Sequence, residues 1–138
     1  MSEDEDHAAN VPTLREEQLI TAGDLNRKID KDDVIVVDVR DADEIAIVGK
    51  VTSKKWLNIP LYKLGDALKM PPSDFKEKYL LEKPTAEGSN FVFHCNHGRR
   101  GAKATALANR LGYTKSANLT GGHVAWKAAL RASRYIIK

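Results

Sequence analysis

The stretch Phe91-Val92-Phe93-His94-Cys95-Asn96-His97-Gly98-Arg99-Arg100-Gly101 passes from an apolar run into a polar, glycine-containing loop. The four residues before Cys95 have the length and composition of a short strand. After Gly101, apolar residues recur at helical spacing, and Gly112 stands where a helix C-terminal cap belongs. These apolar residues are Ala104, Leu107, Ala108 and Leu111. The stretch therefore predicts a strand, a tight loop and a helix in direct succession, as in a parallel α/β sheet.

Apolar runs elsewhere in the chain predict the other strands of that sheet. Residues 34–39 are apolar without alternation and rich in β-branched side chains, as in a strand covered on both faces. Residues 56–60 return the chain to the core, and residues 116–119 form a last short strand. The predicted helices run from Thr21 as N-cap through Ile29, from Asp41 as N-cap through Ile45, over 61–68, from Ser73 or Asp74 through Leu80, and from Gly121-Gly122 onward. Strands that alternate with helices predict an α/β fold with a parallel sheet and helices on both faces.

The length and composition indicate one globular domain. The chain has 138 residues, of which 42% are hydrophobic and 30% are charged, which are ordinary values for a single domain. Residues 1–12 are expected to form a disordered acidic tail, and residues 13–138 a single domain. No apolar run reaches the roughly 18 residues of a membrane span, and the acidic N-terminus has no apolar stretch resembling a secretory signal. We therefore expect no membrane association and a cytoplasmic protein, or a mitochondrial one if a presequence has been removed.

The balance of charge suits a small anionic substrate. The chain has 22 Lys and Arg against 19 Asp and Glu, and four of the acids lie in residues 1–10. Residues 11–138 therefore carry 22 basic and 15 acidic groups, an excess of +7, which attracts anions. The basic residues are scattered along the chain, so we expect no nucleic-acid interface.

Cys95 is the one cysteine of the chain, which excludes an internal disulfide and a zinc site built from several cysteines. At the start of the predicted helix, its thiol meets unpaired backbone N–H groups and the positive end of the helix dipole. Arg99 and Arg100 add positive charge, and Gly98 lets the loop curl so that successive N–H groups face an anion. An inert buried cysteine is the alternative, but it predicts apolar neighbours, whereas Cys95 has polar and charged ones. The pattern favours a reactive thiolate.

Several motifs stand in the order found in one enzyme family. They are Val37-Asp38-Val39-Arg40, Leu57-Asn58-Ile59-Pro60, Cys95-Asn96-His97-Gly98-Arg99-Arg100, and Leu111-Gly112-Tyr113 through Asn118-Leu119 and Gly121-Gly122 to Trp126. With this set the sequence resembles the rhodanese family of sulfurtransferases, from about Thr13 to Leu130. The likeness is closest to the small single-domain thiosulfate sulfurtransferases of animals, which share a segment like that from Ala67 to Pro84. The resemblance implies a rhodanese-like fold, with a central, mostly parallel five-stranded sheet and helices on both faces.

The resemblance also implies a mechanism. Cys95 is the expected sulfur acceptor: its thiolate takes the outer sulfur of thiosulfate or a related persulfide donor, and a second nucleophile removes that sulfur again. The expected second nucleophile is cyanide or a thiol such as glutathione or thioredoxin, and no cofactor is expected. The persulfide is expected to lie among the backbone N–H groups of a loop formed by Asn96, His97, Gly98, Arg99, Arg100 and Gly101. Arg99 or Arg100 is expected to bind the sulfonate of the donor.

The sequence departs from the family pattern in two places. Gly101 stands where many rhodaneses have Ser or Thr, whose hydroxyl helps to bind the persulfide. Gly49-Lys50-Val51 stands where many have Gly-His-Ile, so that histidine is absent. These differences bear on the choice of substrate more than on catalysis.

Other functions fit parts of the pattern. Cys-based phosphatases and arsenate reductases need Cys-x5-Arg, whereas Arg100 lies at Cys-x4-Arg, in a loop too short for a phosphoryl group. A non-catalytic or sulfur-relay module that binds a partner is the second alternative. Inactive modules typically lose the cysteine, which this chain keeps. His94, Cys95 and His97 have no evident distant partner as a further ligand, so we expect no metal site.

A few other side chains are assigned by position alone. Asp38 and Arg40 are expected to support the loop as a structural ion pair, with Glu44 as a partner for Arg40. His123 is expected on the surface at a helix start. Trp56 and Trp126 are expected in the core or the pocket wall.

Overall fold

The computed structural model of the protein describes residues 11–29, 31, 34–51, 53–87 and 90–136. Residues 1–10 of the predicted acidic tail lie outside this part. Five strands are present in it: β1 (Leu19–Ile20), β2 (Ile35–Asp38), β3 (Trp56–Asn58), β4 (Phe91–His94) and β5 (Ala117–Leu119). The α-helices are α1 (Ala22–Lys28), α2 (Ala42–Val48), α3 (Leu61–Lys69), α4 (Pro72–Tyr79), α5 (Arg99–Arg110) and α6 (Gly122–Ile136). Within the described residues, none of these helices has the length and apolar character needed to cross a membrane.

The strands form one sheet in the order β1-β5-β4-β2-β3, and every neighbouring pair is parallel. This confirms the predicted α/β architecture. Asp38 of β2 lies opposite His94 of β4 on one side and opposite Asn58 of β3 on the other. The carboxyl ends of these three strands thus meet at the edge where ligands bind in open α/β sheets. β1, which the sequence pattern does not predict, pairs with β5.

Helices cover both faces of the sheet, which explains the apolar run Ile35-Val36-Val37 of β2. Ile35 and Val37 pack into a core on one face with residues of α3, α4 and α5. Val36 packs into the core on the other face with residues of α1 and α6. Since alternate residues of a strand point to opposite faces, the residues of β2 that lie between the two cores, Ile35-Val36-Val37, are all apolar, and the strand ends in Asp38 at the edge of the sheet.

Two predicted helix ends are confirmed. Thr21 caps α1, and its hydroxyl oxygen accepts a hydrogen bond from the backbone N–H of Asp24 at 3.1 Å, one of the donors that a helix start leaves unpaired. Gly112 follows α5 with a φ of 98°, a left-handed conformation that favours glycine. Both ends therefore follow from local sequence.

The predicted limits of α4 need correction. The helix begins at Pro72 rather than at Ser73 or Asp74, because the fixed φ of proline suits the first helical turn. It ends at Tyr79, and Leu80 has a φ of 62° and is 84% exposed. Leu80 therefore does not share the packed face of the helix.

Candidate active site

Cys95 lies at the carboxyl edge of the sheet, directly after β4 and shortly before α5. Its side chain is 2% exposed, and its sulfur faces the backbone of the residues that follow. The N–H groups of Gly98 and Gly101 donate to Sγ, with N···Sγ distances of 3.1 and 3.4 Å. Gly98 has a φ of 105°, a conformation that lets the chain turn back over the sulfur. Residues 95–101, the Cys95 loop, thus surround the sulfur with backbone donors.

The first turn of α5 contributes to this environment. The helix has 12 residues and begins at Arg99, so its first N–H groups have no partner within the helix. One of them, from Gly101, is directed at Cys95 Sγ, at the end where the helix dipole is positive. Negative charge on the sulfur is therefore stabilised by fixed backbone groups.

The first turn of α6 holds the Cys95 loop in place. The N–H of His123 donates to the carbonyl of Cys95 at 2.7 Å, and the N–H of Val124 donates to the carbonyl of Asn96 at 3.1 Å. Gly122 has a φ of 63°, and a Cβ there would lie 2.5 Å from backbone atoms of Cys95 and Asn96, so glycine is required. These bonds draw loop carbonyls toward α6, while loop N–H groups face the sulfur.

Asp38 and Arg40 form an ion pair in which neither side chain is exposed. Nη2 of Arg40 donates to Asp38 Oδ2 at 2.7 Å, and Nε donates to Oδ1 at 2.9 Å. The other terminal nitrogen, Nη1, donates to the side-chain oxygen of Asn96 at 3.0 Å. This pair, the Asp38–Arg40 brace, therefore joins the end of β2 to the residue that follows Cys95.

Arg100 and Glu44 form a second ion pair at the loop. Nη1 and Nη2 of Arg100 donate to the two carboxylate oxygens of Glu44 at 2.6 and 2.8 Å. The Asn96 side chain donates to the same carboxylate at 3.2 Å. Hydrogen bonds from Arg100 lower the pKa of Glu44, so this carboxylate is ionised at neutral pH. The predicted pairing of Glu44 with Arg40 is wrong, because the Arg40 guanidinium is turned toward Asp38.

The other side chains predicted for the site lie outside this network. His97 and Arg99 are exposed, and neither side chain has a hydrogen-bond or ion-pair partner in the described part of the chain. The structure therefore leaves these two facing solvent and brings the others together, namely Cys95, Asn96, Gly98, Arg100 and Gly101.

Two buried histidines lie next to Cys95. His94 is fully buried and His123 is 3% exposed, and their ring centroids are 6.2 Å apart. Burial lowers the pKa of His94 to about 4 and also lowers that of His123, so both rings are neutral at pH 7. His94 Nε2 lies 3.4 Å from Asp38 Oδ2, and a neutral ring forms no ion pair there. The prediction that His123 lies on the surface is wrong, because the turn at Gly121-Gly122 folds it against Cys95.

The two tryptophans differ in burial. Trp126 is 4% exposed in the core, whereas Trp56 is half-buried with the Lys50 ammonium 4.1 Å above its ring. Among the described residues, no group of three or more His, Cys, Asp or Glu side chains is placed to hold a metal ion.

Asn118 of β5 belongs to the site, although sequence reasoning misses it. It is 5% exposed, and its Nδ2 donates to the carbonyl of Gly98 at 3.0 Å. Its Oδ1 has no hydrogen-bond partner among the described residues, and a Cβ on Gly101 would overlap that oxygen. Asn118 thus occupies the space that a side chain at position 101 would need. The signal in the sequence is an amide in a short apolar strand, where burial is costly unless the group is hydrogen-bonded.

Known proteins are similar to this chain in sequence and in fold. The family model described as Rhodanese-like domain matches residues 21–129. The mouse (Mus musculus) thiosulfate sulfurtransferase/rhodanese-like domain-containing protein 3 is 37% identical over 107 residues, 78% of this chain and 66% of that protein. The human (Homo sapiens) thiosulfate:glutathione sulfurtransferase is 43% identical over 89 residues, 64% of this chain and 75% of that protein. The solved structure of the human single-domain sulfurtransferase TSTD1 covers 80% of this chain and 96% of its own, with a TM-score of 0.72 and 35% identity.

Proposed function

The chain belongs to the rhodanese family, and on that premise we propose that it is a thiosulfate sulfurtransferase. It moves the outer sulfur of thiosulfate, or of a related persulfide donor, through a persulfide on Cys95 to cyanide or a thiol. The observation that carries this proposal is the pair of backbone N–H groups, from Gly98 and Gly101, directed at Cys95 Sγ. A sulfur atom added to Cys95 carries the negative charge that these groups and the helix dipole favour.

In the first half-reaction, the Cys95 thiolate attacks the outer sulfur of thiosulfate. The bond between Sγ and that sulfur forms as the S–S bond of thiosulfate breaks. Sulfite leaves with the electron pair of the broken bond, and the persulfide anion stays on Cys95. The total charge is unchanged, so no further reactant is needed.

In the second half-reaction, a thiolate attacks the outer sulfur of the persulfide. Its bond to that sulfur forms as the bond to Sγ breaks, which restores the Cys95 thiolate and releases a new persulfide; cyanide gives thiocyanate in the same way. The chain has one cysteine, so the attacking thiol belongs to the acceptor. The name of the human relative pairs thiosulfate with glutathione, which supports a small thiol of that kind, with thioredoxin as the protein alternative.

The side chains around the loop have separate roles in this proposal. The Asp38–Arg40 brace positions Asn96 and, through it, the loop backbone. Glu44 holds the Arg100 guanidinium in place and offsets its charge. Arg99, which is exposed, supplies the guanidinium that attracts the sulfonate of the donor.

The geometry disfavours the two rivals. Cys-based phosphatases need five residues between Cys and Arg, whereas four separate Cys95 from Arg100. The N–H groups of Gly98 and Gly101 already lie within 3.4 Å of Sγ, so the loop fits one sulfur atom rather than a phosphoryl group. A purely partner-binding module has no need of these donors around a thiol. We therefore expect sulfur transfer with negligible hydrolysis of aryl phosphates.

Residues 13–138 form the single catalytic domain in this proposal, with the cytoplasm as its compartment. A lone nucleophilic thiol must stay reduced, and the cytoplasm keeps thiols reduced. Both half-reactions consist of a nucleophile attacking sulfur, so neither requires a cofactor.

Mass spectrometry after treatment with thiosulfate tests the proposal. The wild-type protein should gain the mass of one sulfur atom at Cys95, and cyanide should remove it as thiocyanate. The Cys95→Ser variant should do neither while its circular dichroism spectrum stays that of the wild type. A wild-type protein that gains no sulfur, or a folded Cys95→Ser variant with undiminished thiosulfate:cyanide activity, would refute the proposal.

A further inference from the structure

A cleft of about 430 Å³ opens at the carboxyl end of β3, apart from the Cys95 loop. Its volume falls within the roughly 300–1,000 Å³ of small-molecule sites. Residues of α2, α3 and α4 and of the end of β3 line it, among them two aspartates, two lysines and two tyrosines: Asp41, Asp43, Lys63, Lys78, Tyr62 and Tyr79. We call it the charged cleft.

The charged cleft has equal numbers of positive and negative side chains, and these form no ion pairs with one another or with other side chains that the structure describes. Two carboxylates and two ammonium groups sum to zero, and none of the four has an ion-pair partner in the described part of the chain. The ammonium groups lie over tyrosine rings, Lys63 at 5.6 Å from Tyr62 and Lys78 at 5.7 Å from Tyr79. A site with only one sign of charge would attract any counter-ion, whereas both signs in one cleft complement a zwitterion.

The charged cleft lies about one short peptide away from the nucleophile. Asn58, which lines the cleft, is opposite Asp38, and Asp38 is opposite His94, the residue before Cys95. Two strand spacings separate Asn58 from His94, which amounts to about 10 Å. In extended glutathione, whose middle residue carries the thiol, the sulfur lies about 7–10 Å from the charged groups at either end. A peptide thiol of that size therefore reaches the loop while its charged groups stay in the cleft.

We propose that the charged cleft binds the acceptor, and that the acceptor is a zwitterionic peptide thiol of about the size of glutathione. This inference rests on the proposed sulfur transfer. The ammonium group of the ligand lies against Asp41 and Asp43, and its carboxylates lie against Lys63 and Lys78. Its thiolate takes the outer sulfur of the persulfide, forming a new S–S bond as the bond to Cys95 breaks and the Cys95 thiolate leaves.

Kinetics with three acceptors test the assignment. In the double variant Lys63→Gln/Lys78→Gln, kcat/KM for glutathione should fall about tenfold, as expected for two partly screened ionic contacts. The values for cyanide and 2-mercaptoethanol should stay within about twofold, because neither has groups for the cleft to bind. The matched control Lys69→Gln/Lys115→Gln removes the same charge from exposed positions outside the cleft and should leave all three values unchanged.

The outcomes separate this proposal from the function on which it rests. An equal loss with all three acceptors, an equal loss in the control, or no loss with glutathione would overturn the charged cleft and leave sulfur transfer standing. A wild-type protein that transfers no sulfur from thiosulfate to cyanide would overturn the proposed function, and the acceptor role with it.

A binding measurement needs no turnover. S-Methylglutathione, which has no free thiol, should shift the NMR amide signals around Tyr62 and Lys63 in the wild type and not in Lys63→Gln/Lys78→Gln. Shifts confined to other parts of the molecule, or none at saturating ligand, would contradict the cleft assignment.

Discussion

The Cys95 loop presents backbone N–H groups to the sulfur, whereas the residues that support the loop are buried, charged or polar side chains. The loop donors are part of the main chain, so no substitution of a neighbouring side chain removes these N–H groups themselves. The Asp38–Arg40 brace has no exposure to solvent, and buried charges are tolerated only while they are paired. From this contrast we expect that substitutions in the Asp38–Arg40 brace lower the free energy of unfolding. Substitutions beside the Cys95 loop should chiefly change the geometry and charge of the loop.

Arg40→Met should have the largest effect on stability. It leaves the buried Asp38 carboxylate without its guanidinium, and breaking such a pair costs about 3–5 kcal/mol. Urea denaturation measures the loss. The control is Arg27→Met, which removes the exposed pair of Arg27 with Asp24 and should cost about 1 kcal/mol or less. Equal losses in the two variants would show that the buried Asp38–Arg40 pair contributes no more to stability than the exposed Asp24–Arg27 pair.

His94, which is buried beside Asp38, makes the stability of the fold depend on pH. Its pKa is 6.5 in the unfolded chain and about 4 when buried, so the unfolded state binds the proton more tightly. The free energy of unfolding should therefore decrease by about 3 kcal/mol as the pH falls from 6.5 to about 4, and this contribution should be complete above 6.5. His94→Asn should lose that part of the decrease, while His97→Asn, at an exposed position, should keep it. Parallel pH profiles for His94→Asn and the wild type would contradict a neutral, buried His94.

Gly101→Ala measures how tightly the loop is packed against β5. The new Cβ would overlap Asn118 Oδ1, and such overpacking costs about 1–3 kcal/mol. Gly65→Ala is the control, because its Cβ would lie 3.8 Å from Leu107, and alanine in a helix gains about 0.5–1 kcal/mol. The double variant Gly101→Ala/Asn118→Gly should recover part of the loss, because it removes the oxygen that the new Cβ overlaps. Thermal unfolding of the variants gives these values, and a neutral Gly101→Ala would show that Asn118 moves without cost.

Glu44→Gln should have the smallest effect, which concerns charge rather than stability. Glutamine keeps an oxygen for Arg100 but removes the negative charge that offsets the guanidinium. We expect KM for thiosulfate to fall about two- to fivefold at low salt and the difference to shrink as salt screens the charges. Asp66→Asn removes an exposed charge elsewhere and should leave KM unchanged. A rise in KM in Glu44→Gln would mean that the position of Arg100 matters more than its net charge.

Local sequence pattern predicts the parts of the fold that local interactions determine. The strand β2, with its apolar run Ile35-Val36-Val37, and the strand–loop–helix at Cys95 have the predicted types and places. β1 escapes prediction because two residues, Leu19–Ile20, are too few to show a period. Proline also starts α4 earlier than the expected caps. Both discrepancies arise where the pattern is short or a stronger local signal competes.

Contacts between distant residues of the site are harder to foresee. Glu44 pairs with Arg100, which lies 56 positions away in the sequence. No rule of sequence spacing indicates that Arg100, rather than Arg40, is the partner of Glu44. Asn118 and His123 read as ordinary residues of a strand and a helix start, yet both are buried beside the loop. Only the three-dimensional arrangement of strand ends brings them there, since neighbours in a parallel sheet come from separate parts of the chain.

The pairing of β1 with β5 can form only late in synthesis, because the two strands lie far apart in the sequence. Leu19 lies opposite Asn118, so β1 cannot pair until a strand about 100 residues further along the chain has been synthesised. The hydrogen bonds from the N–H groups of His123 and Val124 to the carbonyls of Cys95 and Asn96 likewise cannot form until those later residues are present. A nascent chain on the ribosome thus carries Cys95 before the contacts that shape its loop exist. We therefore expect the proposed sulfur transfer to begin only once residues beyond Val124 have emerged and the sheet has closed.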